Sequence, residues 1–180
     1  MKFIFAISWF IGMTVFACPN AFSQSTSQGT WMVEANTRLA SVTENITAIP
    51  STGFSFFTSD GTTIWSIGGE AGYFVVDDLA LKVGLGYTNT DGFSALTYKF
   101  GGRYHLAGVV PIELDLSGGN LEDFDENPLW LGLQGGYAFF LSDMVSIEPS
   151  ARYLFSLNDG FTEENLFILR LGFAIYFSGN

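Results

Sequence analysis

Leu79-Ala80-Leu81-Lys82-Val83-Gly84-Leu85-Gly86-Tyr87 decides the fold class. In steps of two, Leu79, Leu81, Val83, Leu85 and Tyr87 share one face of an extended chain, while Ala80, Lys82, Gly84 and Gly86 share the other. Bulky apolar groups opposite a face of charge and glycine match a closed sheet in a bilayer. Hydrocarbon satisfies neither an open sheet edge nor a buried charge, so both must be turned inward or closed off.

The same phase holds every other cation past the N-terminal segment. Arg38, Lys82, Lys99, Arg103, Arg152 and Arg170 all alternate with apolar runs on the opposite face. Five acids share this inward phase: Glu34, Glu70, Glu113, Asp115 and Glu148. These eleven ionisable residues form an expected lumen charge network, because unpaired charge in a narrow interior would be costly. Glu70 and Lys82 fall on neighbouring positions across a hairpin, and Glu148 and Arg152 lie four apart on one face.

Outward from the deciding stretch, eight strand-like segments emerge, at about Thr30–Val42, Thr62–Val75, Leu79–Thr88, Ser94–Leu106, Val109–Ser117, Leu129–Leu141, Val145–Ser156 and Asn165–Phe177. Pro111 is uncomfortable in a paired strand and places the true start of the fifth near Ile112. The number is even and the lengths suit strands tilted across a bilayer. Connections alternate short (Val76-Asp77-Asp78, Ala107-Gly108, Ser142-Asp143-Met144) and long (Thr43–Gly61, Asn89–Phe93, Gly118–Pro128, Leu157–Glu164). Short turns belong on the periplasmic side of an outer-membrane barrel, which puts both termini in the periplasm. Six of the seven tyrosines take the apolar phase, and five of them fall near strand ends, as interfacial girdles require. The expected fold is all-β: a closed eight-stranded antiparallel transmembrane up-and-down β-barrel.

Residues 1–23 have the composition of an export signal. Lys2 leads the apolar stretch Phe3–Ala17, and Ala21-Phe22-Ser23 offers a small-x-small cleavage pattern. The rival is a lipoprotein signal in Val15-Phe16-Ala17-Cys18 with Cys18 acylated, which places Phe16 where a small residue is expected. Cleavage after Ser23 leaves residues 24–180 as one barrel domain without cysteine. Loss of Lys2 moves the formal charge from −11 to −12, and the thirteen acids off the inward phase sit in loops, turns or strand ends. That sign excludes a nucleic-acid partner.

The chain resembles the small eight-stranded outer-membrane β-barrel proteins, of the outer-membrane protein X and outer-membrane protein A membrane-domain type. The resemblance rests on Gly29-Thr30-Trp31, on Gly72-Tyr73-Phe74 leading into Asp77-Asp78-Leu79-Ala80-Leu81, and on Gly102-Arg103-Tyr104. Arg170-Leu171-Gly172-Phe173-Ala174-Ile175-Tyr176-Phe177 looks like the C-terminal signal read by barrel-insertion machinery. Ile175 stands where an aromatic is common, and Ser178-Gly179-Asn180 trail beyond. The resemblance implies a bacterial outer-membrane location, with outer-membrane lipids and glycolipid as surroundings and the insertion machinery as partner. It gives architecture more firmly than activity.

Glycines on the charged phase, including Gly68, Gly72, Gly84, Gly101 and Gly132, suit a narrow interior and argue against a soluble barrel with an apolar lumen. Eight strands leave an interior just wide enough for side chains to fill, so a charge-filled, non-conducting lumen is expected. The expected role is structural or surface interaction, with no catalytic residue and no cofactor. A small pore or ligand-binding barrel is the alternative, and an outer-leaflet lipid-modifying enzyme the third reading. The one histidine, His105, falls at the periplasmic end of its strand and reads as an interfacial or turn residue. Glu122, Asp123, Asp125 and Glu126 are weak candidates for a divalent cation, since their spacing matches no calcium-loop motif and a solvated acidic loop explains them.

Overall fold

The computed structural model describes residues 25–41, 52–59, 62–90, 93–122 and 126–178. The expected export segment with Cys18, most of the first long connection, and Asp123 and Asp125 lie outside them.

Ten strand segments follow one another: β1 (Thr30–Ser41), β2 (Ser55–Ser59), β3 (Thr62–Val76), β4 (Leu79–Thr90), β5 (Phe93–Leu106), β6 (Val110–Leu121), β7 (Leu129–Gly136), β8 (Phe139–Ser142), β9 (Val145–Ser156) and β10 (Leu166–Ser178). Every pairing between them is antiparallel, and β1 pairs both β10 and β3, which closes the sheet. The result is an eight-stranded barrel. β7 and β8 together make one wall strand, and β2 pairs antiparallel with the start of β3, beyond the stretch that β1 pairs.

Period-two alternation is what the closed sheet expresses. In β4, Leu81, Val83, Leu85 and Tyr87 are exposed, whereas Ala80, Lys82, Gly84, Gly86 and Thr88 are buried. The exposed belt continues through Phe100, Leu114, Leu133, Leu169, Phe173 and Ile175. Trp31 and Tyr73 pack at 4.9 Å between ring centroids near one rim, and Trp65 and Tyr87 at 5.6 Å near the other. Such aromatic pairs suit the two membrane–water interfaces.

The strand bounds differ from expectation at two prolines. β6 is paired from Val110 onward, with Pro111 opposite His105 in the register, so pairing begins before Ile112. Pro111 is the second residue at the rim, where a missing N–H costs least. The expected sixth segment, Leu129–Leu141, is broken after Gly136. Tyr137 donates its N–H to the Pro149 carbonyl at 3.1 Å, but Pro149 has no N–H to return. The Ala138 N–H turns instead to the Val109 carbonyl at 2.8 Å, and pairing resumes at Phe139↔Ile147.

The connections at one rim are tight. Asp78 (φ 63°), Ala107 (φ 53°) and Gly108 (φ 74°) all take left-handed backbone to reverse the chain. Aspartate and glycine tolerate this region, but alanine does so only at a cost. The two described ends lie at this same rim, where Thr30 pairs with Ser178 and the Thr26 carbonyl accepts the Asp78 N–H at 2.8 Å. At the opposite rim the first long connection folds back. Gly53 bridges Asn36 in parallel, and Thr52 is buried in the barrel mouth.

Candidate functional site

The lumen is the chemically distinctive region, and it is layered. Its middle holds ten of the eleven expected ionisable residues. Lys82 Nζ lies 2.5 Å from Glu34, 2.7 Å from Glu70 and 2.9 Å from Glu113. Arg103 binds three carboxylates: Glu34 at 2.7 Å through Nη2, Glu113 at 2.7 Å through Nε, and Glu148 at 2.8 Å through Nη1. Lys99 pairs with Glu70 at 2.8 Å and with Glu113, while Asp115 stands 4.0 Å away. Nearer the rim of long connections, Arg152 meets Asp115 at 2.6 Å and Arg170 meets Glu70 at 3.3 Å. Five cations and five acids are brought together there, so the formal charges of these ten cancel.

The eleventh residue behaves differently. Arg38 is exposed, beside a register shift in β1, and no described acid pairs with it. The Glu70–Lys82 neighbours do meet. Glu148 and Arg152 do not, because four residues of strand span about 13 Å; Glu148 turns to Arg103 and Arg152 to Asp115.

Glu34, Glu70 and Glu113 bring carboxylate oxygens within 4.8 Å of one another, a spacing that would suit a metal ion. The Lys82 ammonium contacts all three and supplies the positive charge that such an ion would bring. Glycines create the room. A Cβ on Gly132 would lie 2.6 Å from Asp115 Oδ2 and 2.7 Å from Arg152 Nη2. Neutral groups complete the layer: Asn36 Nδ2 donates to Glu70 at 3.2 Å, Thr52 Oγ1 also donates to Glu70, and Arg170 Nη1 donates to Gln134 at 2.8 Å.

Apolar clusters bracket the charged layer, and sequence reasoning missed both. Toward the rim of short turns, Met32, Phe74, Ala80, Ala174 and Tyr176 pack together with Phe140 against them. Toward the rim of long connections, Trp130, Leu154, Leu166 and Ile168 pack with Phe161. Tyr176 joins cluster to network by donating its hydroxyl to Glu148 at 2.7 Å. His105 is not interfacial. It is wholly buried within the lumen, its ring centroid 5.5 Å from that of Phe74, and neither ring nitrogen has a hydrogen-bond partner among the described residues.

In the acidic connection between β6 and β7, Glu122 accepts a hydrogen bond from the Ser94 hydroxyl and Glu126 accepts one from Asn158 at 3.1 Å. Glu122 is thereby tied to the start of β5 and Glu126 to the connection between β9 and β10.

A closed eight-stranded sheet, apolar outside and ion-paired inside, defines a small transmembrane β-barrel. Its fold is that of small outer-membrane proteins. The N-terminal β-barrel domain of Pseudomonas aeruginosa OprF superposes with a TM-score of 0.57 at 16% identity, covering 83% of this chain and 98% of that domain. The outer membrane protein OprG, also from Pseudomonas aeruginosa, superposes with a TM-score of 0.50 at 10% identity, covering 87% of this chain and 99% of OprG. At these identities the likeness is one of fold alone. No protein-family model and no curated protein sequence matches the chain.

Proposed function

We propose that the protein is an integral outer-membrane barrel whose lumen is sealed, and which acts through its outer surface and loops rather than by conducting ions. The carrying observation is the filling of the lumen: a charge-balanced layer of ten interlinked ionic side chains, capped at each end by an apolar cluster. A hydrated path would have to break several of these contacts together, and each broken buried pair costs about 3–5 kcal/mol. The surface role leaves lipid and glycolipid as the surroundings of the exposed belt. The β10 strand, ending in Tyr176-Phe177, is the segment offered to insertion machinery. The shared rim of short turns and described ends supports a periplasmic placement for both.

Thiol accessibility tests the seal. Ala80 and Ala95 are buried on the lumen side toward opposite rims, and Leu157 is exposed beyond β9. In a background with Cys18 absent, Ala80→Cys and Ala95→Cys should resist a water-soluble maleimide when folded and react when denatured, while Leu157→Cys reacts in both states. Equal labelling rates at Ala80→Cys and Leu157→Cys in the folded barrel would refute the sealed lumen.

A further inference from the structure

Among the described residues, the lumen charges leave one cation over, and its position is informative. Arg38 lies directly opposite Arg170 in the β1–β10 register. Like charges directly opposite one another destabilise a sheet, and at this mouth Arg170 is already matched within the balanced ten while Arg38 is the surplus charge. Both arginines line a narrow cleft of about 20 Å³, together with Lys99 and Arg152 and with Asn36, Thr52, Ser117 and Ile168. Among the described residues, four cations and no carboxylate line it. The acids that pair with the buried three, Glu70, Glu113 and Asp115, do not reach the lining. Ser117 contributes a hydroxyl and Asn36 the second proton of its amide, groups able to donate to an oxyanion, whereas the Thr52 hydroxyl proton goes to Glu70.

We propose that this cleft is an anion-binding site that takes the oxygen of a phosphate-class oxyanion, seated between Arg38, Arg170 and Arg152. A water molecule fits a space of this size, but water does not compensate the surplus charge. One monoanionic group does, and it relieves the Arg38–Arg170 opposition. Arg152 and Arg170 are held in place from behind, by Asp115 and Ser117 for the first and by Gln134 and Glu70 for the second. Two of the three guanidinium groups are therefore oriented before the anion arrives. Arg38, exposed at the mouth, is the one that closes on it.

The protein, refolded into neutral-lipid nanodiscs, is titrated with inorganic phosphate at fixed ionic strength in a chloride background, and backbone amide resonances are followed. Saturable shifts confined to Asn36, Arg38, Ser117, Ile168 and Arg170 are expected. Arg38→Gln should weaken the binding by about tenfold or more, the effect of losing one charged hydrogen-bond donor. A second arm uses nanodiscs carrying a phosphorylated glycolipid without free phosphate. The same shifts there identify a lipid headgroup as the source, and shifts with free phosphate alone identify a soluble ligand; both support the site. Arg38→Glu should abolish binding and raise the thermal midpoint, because it sets a carboxylate opposite Arg170. No saturable shift in either arm, unchanged affinity in Arg38→Gln, or a lowered midpoint in Arg38→Glu would overturn the proposal.

Discussion

Replacing Arg103 with methionine should destabilise the barrel by about 3–5 kcal/mol, the cost of removing one partner from a buried ion pair. The structure places this variant at the upper end of that range. Arg103 is wholly buried and holds three carboxylates at once. Glu34 retains Lys82 at 2.5 Å, and Glu113 retains both lysines. Glu148 retains no cation, only hydroxyl donors from Ser146 and Tyr176 at 2.7 Å each. Lys82→Met is milder by the same reasoning, since Glu34, Glu70 and Glu113 each keep another cation. Adding Glu148→Gln to Arg103→Met should recover a large part of the loss, because the stranded charge disappears. Urea titration in phospholipid vesicles, scored by the gel-mobility difference between heated and unheated samples, measures all three variants. A cost below about 1 kcal/mol for Arg103→Met, the range of a solvent-screened surface pair, would refute the description of a dry ionic layer. Failure of Glu148→Gln to recover any stability would refute the assignment of its partner.

Other substitutions probe separate features. Val83, 54% exposed in the apolar belt, should reject arginine at a cost of about 2–4 kcal/mol; equal folding yields for Val83→Arg and Val83→Ala in vesicles would mean that this face does not meet lipid. Ala107→Gly should stabilise the barrel by about 1 kcal/mol by relieving left-handed backbone at φ 53°, and a lower urea midpoint would contradict the strain. Gly132→Ala should cost about 1–3 kcal/mol, because its Cβ would intrude between Asp115 and Arg152; the loss should shrink in Gly132→Ala/Asp115→Asn/Arg152→Gln, where the ionic pair is gone.

The barrel was legible because period-two alternation carries both faces at once: Leu81, Val83 and Leu85 cannot face lipid unless Lys82 and Gly84 face inward. Strand interruptions were less legible. Pro111 was visible as a discouragement to pairing, but its position at a rim, where pairing tolerates it, depends on where the turn falls. The break at Tyr137 is caused by Pro149 on the partner strand, a cross-strand effect that neither segment reveals alone. The charged residues were identifiable, but their partners were not, since pairing across a lumen depends on barrel geometry; Glu148 finds Arg103 on β5 instead of Arg152 on its own strand. The apolar caps are less legible than the charges, because alternation places Phe74, Trp130, Leu154 and Tyr176 inside, whereas a membrane barrel's interior is ordinarily polar. Large apolar side chains at strand ends on the inward phase are the signal that would have found them. The same phase count, carried two residues past Arg103, also puts His105 inside.

Planar-bilayer recording of the purified, refolded protein tests the sealed lumen most directly. The ion-paired layer and its two apolar caps predict no stable, reproducible conductance steps, in the wild type and in Val83→Ala alike. Steady open-channel currents whose ion selectivity shifts when Arg103 or Arg152 is replaced would contradict the account, because ions would then be passing through the layer that those residues are held to close.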